Sequence, residues 1–117
     1  MVDSPIKAKS AEFALRIVKL YKYLTQSKNE YVLSKQLLRS GTSIGANVAE
    51  AEYAQSKADY IAKMSISLKE ANETVYWLDL LYKADYFIET EYNSIHSDAV
   101  ELLKMLTSIV KNSKANS

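Results

Sequence analysis

The chain has 117 residues with a formal net charge of +1, and it contains two glycines, one proline and no cysteine. So little glycine and proline argues against an all-β fold, whose tight turns need both residues, and the lack of cysteine excludes disulfides, thiolate zinc sites and thiol nucleophiles. No window has the roughly 18 uninterrupted apolar residues of a membrane span and no apolar run forms a signal peptide, so we expect one cytoplasmic domain covering residues 1–117.

The first half of the chain predicts two helices, over about residues 5–27 and 30–54. Ser4 and Pro5 are typical of a helix start, because a serine caps free backbone amides and a proline in the first turn loses no hydrogen bond. Apolar residues then recur at helical spacing and form one stripe on each helix. The stripe consists of Phe13, Ile17, Leu20, Tyr21 and Leu24 in the first helix and of Leu33, Leu37, Ile44, Val48 and Ala51 in the second.

The second half predicts two further helices, over about residues 57–84 and 90–112. Ser56 and Asp59 form a box-like S-x-x-D cap for the third helix, and Thr90 is the candidate cap of the fourth. Because the connections are short, neighbouring helices should run antiparallel. We therefore predict an all-α, up-and-down antiparallel four-helix bundle. The apolar stripes are Ile61, Met64, Leu68, Ala71, Val75, Leu78 and Tyr82 in the third helix and Ile95, Ala99, Leu102, Leu106 and Ile109 in the fourth.

The third helix carries more apolar surface than one core needs. A second group of apolar residues falls on roughly the opposite side from its main stripe. A helix that is apolar on two sides is either central in its fold or covered by another subunit, and no helix of a four-helix bundle is central. We therefore expect a homo-oligomer, with this group as the candidate interface: Ile66, Trp77, Leu80 and Leu81.

Both glycines, Gly41 and Gly45, fall in the stretch SGTSIGANVAE, residues 40–50. The spacing fits G-x-S-x-G, which presents a nucleophilic serine on a strand-to-helix turn. The residues before it predict helix, however, and the single histidine, His96, lies in the fourth helix, where we interpret it as a rim or surface residue. The spacing also fits G-x-x-x-G, which lets two helices approach closely. Since each mid-helix glycine costs roughly 0.5–1 kcal/mol, we interpret the pair as a packing device in a continuous helix.

Polar residues flank the second stripe opposite the glycines, at Ser40, Ser43 and Asn47. Half-buried there, they need hydrogen-bond partners, for which a subunit boundary is one option. The sequence shows neither a phosphate-binding glycine loop nor the E-x-x-H pairs of a di-iron bundle. We therefore predict no catalytic residue, no metal and no cofactor.

Charge is distributed unevenly along the chain. Residues 1–48 carry eight basic and three acidic side chains, a net charge of +5, while the rest carry seven basic and eleven acidic side chains, a net charge of −4. Such a split marks either a nucleic-acid surface or the pairing of oppositely charged helices, within or between subunits. The candidate nucleic-acid-binding residues are Arg16, Lys19, Lys22, Lys35 and Arg39.

The segment LLRSGTSIGANVAEA, residues 37–51, resembles the signature L-R-R-S-x-x-S-I-x-A-N-I-A-E-G of a bacterial four-helix-bundle family, the 23S rRNA intervening-sequence proteins. Gly41 and Gly45 occupy variable positions of that signature, and Ala51 stands where the family usually has glycine. The matching residues include Arg39, Ser40, Ser43, Ile44, Ala46, Asn47, Ala49 and Glu50.

This resemblance implies a homo-oligomer, typically a pentameric ring, without enzymatic activity. It also implies a relation to the accessory proteins of diversity-generating retroelements, which bind nucleic acid and a partner protein through basic surfaces; this chain, at +1, is less basic than they are. We therefore expect a non-catalytic, homopentameric adaptor that associates with RNA or DNA and not with a membrane. The alternative is a protein–protein scaffold that binds no nucleic acid.

Overall fold

The structure, a computed structural model, describes residues 4–116 and contains four α-helices and no strand in that range. The helices are α1 (Ser4–Gln26), α2 (Leu33–Ala51), α3 (Lys57–Lys83) and α4 (Glu89–Ala115). Each helix packs against its two neighbours, which confirms the predicted all-α four-helix bundle, with extents of 46 × 20 × 20 Å. Across this described part of the chain, no helix combines the length and the apolar character that crossing a bilayer requires.

The two ends of the bundle are distinguished by the connections that they hold. The upper end holds the connections 27–32 and 84–88, and the lower end holds the connection 52–56 and the outer ends of α1 and α4. The ion pairs between α1 and α4 join Lys9 to Glu101 and Arg16 to Asp98, so residue numbers run in opposite directions along the two helices. Of the four seams between neighbouring helices, the one between α1 and α4 is the most open.

The apolar stripes meet in one core along the bundle axis. Most predicted core residues are buried, and the others are only partly buried: Leu20, Tyr21, Leu33, Ile61, Leu68, Val75, Tyr82 and Ile109. One prediction is wrong: Leu81 was expected at a subunit interface but is fully buried in the core of its own chain. The turn of α3 near Leu78 places both Leu78 and Leu81 inward, since positions three apart share a helix face.

The start of α2 is fixed by a carboxylate rather than by its N-cap residue. The buried Glu30 side chain accepts hydrogen bonds from the backbone amides of Val32, Leu33 and Ser34, at 3.3, 3.1 and 2.7 Å. Burial alone raises the pKa of Glu30, but the amides of Ser34, Leu33 and Val32 outweigh burial and leave that pKa below its usual range. Asn29 adopts φ 53° before it. The helix therefore begins at Leu33, three residues later than predicted.

The other predicted caps have different outcomes. The Ser56 hydroxyl accepts from the Asp59 amide at 3.0 Å, as predicted, and the Asp59 carboxylate accepts from the Gln55 amide at 3.2 Å. The prediction for Thr90 is wrong, because α4 begins at Glu89 without a side-chain cap. Instead, the acidic side chains in that first turn interact favourably with the positive N-terminal end of the helix dipole and so stabilise the start of α4. The predicted capping by the Ser4 side chain lies outside the described residues.

Helix α2 runs unbroken through both glycines and presses them against α1. A Cβ atom on Gly41 would lie 2.7 Å from Ile17 Cγ1 and 2.9 Å from Ile17 Cγ2, and one on Gly45 would lie 3.1 Å from the Ser10 carbonyl oxygen. Real Cβ atoms do not approach a neighbour as closely as the Gly41 distances require. The packing interpretation is therefore confirmed, and the neighbouring helix belongs to the same chain.

Overpacking by an alanine at position 41 should cost about 1–3 kcal/mol, the usual range for a core. Because this cost should exceed the roughly 0.5–1 kcal/mol by which alanine favours a helix over glycine, Gly41→Ala should have a lower free energy of unfolding than the wild type. Denaturant unfolding followed by circular dichroism measures the difference.

Two second-site variants control this experiment. Ile17→Ala removes both Cγ atoms, so in that background Gly41→Ala should cost nothing or stabilise, whereas Ile17→Val keeps both atoms and the cost should persist. A Gly41→Ala protein that is more stable than the wild type would contradict the close approach.

Replacing Glu30 by glutamine should lower the free energy of unfolding at pH 7 by about 0.5–2 kcal/mol, the range for loss of a helix cap. Because the pKa of Glu30 is lower in the folded than in the unfolded chain, its contribution is complete above the unfolded value of about 4.3. The contribution is lost as pH falls through the folded value. The difference between wild type and Glu30→Gln should therefore begin to close near the unfolded value of about 4.3 and disappear once pH falls below the folded value.

The exposed Glu12→Gln variant, which also removes one negative charge, controls for a change in net charge and should leave stability unchanged. An equal destabilisation by Glu30→Gln at neutral and acidic pH would show that the carboxylate does not cap α2.

Candidate nucleic-acid interface

The candidate residue Arg16 is held by side chains of α4. Its guanidinium donates to Asp98 Oδ2 at 2.8 Å and to Ser94 Oγ at 2.7 Å. Nearer the lower end, Lys9 reaches Glu101 at 3.0 Å across the same seam. These contacts tie the positively charged first helix to the negatively charged fourth.

The candidate residue Arg39 is likewise occupied, by two carboxylates of α3. It donates to Glu70 at 3.3 Å and to Glu73. Burial by itself raises the pKa of Glu73, but hydrogen bonds from the Trp77 indole and from Arg39 lower it below its usual range. Arg39 therefore joins α2 to α3, and part of the charge asymmetry is pairing within one subunit.

The remaining candidates, Lys19, Lys22 and Lys35, are exposed and form no ion pair within residues 4–116. Lys28 shares this property, and its ammonium lies 5.9 Å from the centroid of the Tyr23 ring. The sequence interpretation missed Lys28, although its place directly after the first helix was a signal. We call Lys19, Lys22, Lys28 and Lys35 the upper lysines, because they follow one another through the end of α1, the connection 27–32 and the first turn of α2.

A cleft opens at the upper end of the seam between α1 and α4, with a volume of about 450 Å³. Phe87 and Ile95 are buried at its floor, and Tyr23 and Ile88 are exposed beside it. We call this the upper cleft. Its lining residues are Arg16, Lys19, Leu20 and Tyr23 from α1 and Phe87, Ile88, Glu91 and Ile95 from the start of α4 and the connection before it.

The polar residues flanking the stripe of α2 find their partners within the chain and not across a subunit boundary. The Ser43 hydroxyl donates to the Arg39 carbonyl at 2.6 Å, and the Asn47 amide donates to the Ser43 carbonyl at 2.9 Å. Ser40 accepts from the Thr74 hydroxyl of α3 at 3.0 Å. These side chains are therefore satisfied in a single subunit.

Further motif positions join α2 to α3. The Ser67 hydroxyl of α3 donates to the Ile44 carbonyl at 2.8 Å, and Lys63 of α3 reaches Glu50 at 3.1 Å. Together with the glycines, which face α1, these contacts assign the motif residues to the packing of α2 between its two neighbours. The buried motif positions therefore hold α2 between its neighbours, whereas Arg39, Ala46, Ala49 and Glu50 are exposed.

His96 lies on the seam between α3 and α4, apart from Ser43. Its Nε2 atom is 3.6 Å from Asp79 Oδ1, which accepts a 2.5 Å hydrogen bond from the Tyr92 hydroxyl. Burial and this bond to Asp79 raise the pKa of Tyr92 to about 12, and the ring of Tyr92 stacks on Tyr82 at 4.1 Å. Since no Cα atom of α2 lies within 8 Å of a Cα atom of α4, Ser43 and His96 are not brought together. In the described part of the chain, no group of three or more His, Asp or Glu side chains could hold a metal ion.

The outer side of α3 retains part of the predicted interface. Ile66 is 41% exposed, Leu80 is half-buried, and Trp77 is partly buried with its indole donating to Glu73 at 3.2 Å. Tyr76, which the sequence interpretation missed, is exposed and meets Trp77 edge to face at 5.0 Å. With Leu81 in the core, the candidate interface consists of Ile66, Tyr76, Trp77 and Leu80.

Comparison with known proteins agrees with the sequence resemblance. The family model described as 23S rRNA-intervening sequence protein matches residues 3–108. A crystal structure at 1.70 Å of a protein with unknown function from the S23 ribosomal protein family of Bacteroides thetaiotaomicron is 58% identical, with a TM-score of 0.91 over 95% of this chain and 99% of that chain. None of the curated proteins matches. This chain thus belongs to the 23S rRNA-intervening sequence protein family.

Proposed function

We propose that this protein is a non-catalytic, homo-oligomeric adaptor, a pentamer by analogy with the family resemblance, that associates with nucleic acid. The observation that carries the proposal is the segregation of the basic residues in the first half of the chain. Four of them form ion pairs with acidic side chains: Lys7, Lys9, Arg16 and Arg39. The other four are the upper lysines, which are exposed and lie in the upper half of the bundle.

Lysines at one end that form no ion pair with the described residues suit a polyanionic partner. Each phosphate that a lysine neutralises releases condensed counterions, so binding weakens steeply with salt. A ring of identical subunits would present the upper lysines repeatedly and so multiply a weak contact. The family name refers to an intervening sequence of 23S rRNA, which makes structured RNA the first probe.

The oligomeric part of the proposal depends on the exposed apolar side of α3. Tyr76, Trp77 and Leu80 lie close together along that side, and Ile66 lies about three turns before them; aromatic residues are enriched in protein interfaces. The alternative function is a scaffold in which the upper lysines contact acidic surfaces of neighbouring subunits. The two functions differ in what the upper lysines bind.

Reversing two upper lysine charges tests the nucleic-acid partner. We expect wild-type protein to bind a structured RNA at low salt, measured by fluorescence anisotropy. The Lys19→Glu/Lys22→Glu variant should bind at least about tenfold more weakly, with a salt slope that is shallower by about 0.7–0.9 for each phosphate that the variant no longer neutralises. Arg16 is not used, because its substitution would also break the ion pair with Asp98.

The matched control is Lys104→Glu/Lys111→Glu, which changes the net charge equally through two exposed residues in the lower half of α4. It should reduce affinity by less than about threefold, since only nearby charges interact strongly at moderate salt. Absence of RNA binding at low ionic strength, or equal weakening in both variants, rejects the nucleic-acid function. A smaller oligomer mass in Lys19→Glu/Lys22→Glu supports the scaffold.

Introducing a charge on the outer side of α3 tests the oligomer. For the wild type, light scattering should give a mass that is a multiple of the 13.2 kDa chain mass. The Ile66→Lys variant should have a mass closer to that of the monomer, because burying an unpaired lysine in an apolar contact is costly. Val32→Lys, at an exposed position of the connection 27–32, should leave the mass unchanged. A monomeric wild type would refute the oligomer, and an unchanged mass for Ile66→Lys would refute this interface.

A further inference from the structure

The upper cleft has the dimensions and the surface of a site for a small flat ring. Its volume of about 450 Å³ lies within the roughly 300–1,000 Å³ of small-molecule sites. The floor is apolar, with Leu20, Phe87 and Ile95 beneath. Tyr23, 43% exposed, and Ile88, 67% exposed, stand at its edges. An aromatic ring beside an apolar floor favours an uncharged planar group that stacks on the ring.

The charged groups around the upper cleft disfavour a phosphate in its interior. The guanidinium of Arg16 already binds Asp98 and Ser94, and the carboxylate of Glu91 at the rim would repel an anion. Lys19 is the cation of the lining that has no ion pair within residues 4–116. A phosphate is therefore better placed outside the cleft, toward Lys19 and the other upper lysines, while an uncharged group occupies the interior.

Tyr23 connects the upper lysines to the upper cleft. Tyr23 is one of the lining residues of the cleft, and the centroid of its ring lies 5.9 Å from the ammonium of Lys28. Proteins that bind single strands combine a basic track for the phosphates with aromatic rings on which bases stack. A duplex keeps its bases stacked on each other, and removing one costs unpairing energy.

We infer that the upper cleft accepts an unstacked nucleobase of a single-stranded nucleic acid, whose phosphates lie on the upper lysines. The base stacks against Tyr23 over the apolar floor. This inference rests on the proposed function and names which part of the nucleic acid the protein recognises. It commits the cleft to a nucleobase rather than to a side chain of a second copy.

Abasic substitution separates base binding from phosphate binding. The probe is a short fluorescein-labelled single-stranded RNA, compared with the same strand carrying abasic sites at its central positions, so that the phosphate charge is identical. The full chain should bind the abasic strand about 5- to 150-fold more weakly, which is the range for losing one base stacked on an aromatic ring. Tyr23→Ala should weaken binding of the intact strand by a similar factor and leave binding of the abasic strand unchanged.

Tyr53→Ala is the matched control, since Tyr53 is 84% exposed beside the lower end of the bundle; it should bind both strands like the wild type. Equal wild-type affinity for the two strands, with salt dependence retained, overturns the nucleobase site and leaves the proposed function standing. Failure to bind either strand or structured RNA at low salt rejects the proposed function itself. A change of oligomer mass on Tyr23→Ala assigns the cleft to a second copy and also overturns the inference.

Discussion

The close approach of α1 to α2 is the constraint on which the rest of the bundle depends. At Gly41 the side chain of Ile17 occupies the space where a Cβ atom would lie, and at Gly45 the backbone of Ser10 comes almost as near. With α1 fixed there and α2 bonded to α3 through Thr74 and Ser67, α1 is joined to α4 by the ion pairs of Lys9 and Arg16 below the upper cleft. The most open seam, and with it the upper cleft, follows from this unequal packing.

The family motif and the proposed binding surface occupy different parts of the molecule. Motif residues such as Ser40 and Ile44 are buried between α2 and α3, so substituting them changes the fold before it changes any binding. The upper lysines lie before the motif, and only Lys35 shares its helix. Membership of the family therefore establishes the architecture, whereas function has to be argued from exposed side chains, most of which lie outside the motif.

Helical periodicity predicted the four helices and most of the core, because burial of one stripe per helix is a local property of the sequence. It failed where tertiary contacts decide. The α2 cap comes from Glu30, a residue type not favoured as an N-cap. The ion pairs that Arg16 and Arg39 each form with carboxylates depend on which helices become neighbours. Leu81 was misassigned because an apolar residue near the edge of a stripe can face either way until the packing is known.

The net charge of +1 is a poor guide to what the upper end of this protein binds. The bundle is 46 Å long, whereas charges in physiological salt act over a Debye length of about 8 Å. Acidic residues near the lower end are therefore screened from a ligand at the upper lysines, and a ligand there experiences the local cations and nearby carboxylates such as Glu91. What matters is that half of the basic side chains in residues 1–48 are already bound to carboxylates, whereas the upper lysines form no ion pair with any residue in the range 4–116. A nearly neutral chain can thus carry a locally basic surface, and closed symmetry would repeat that surface without altering any subunit.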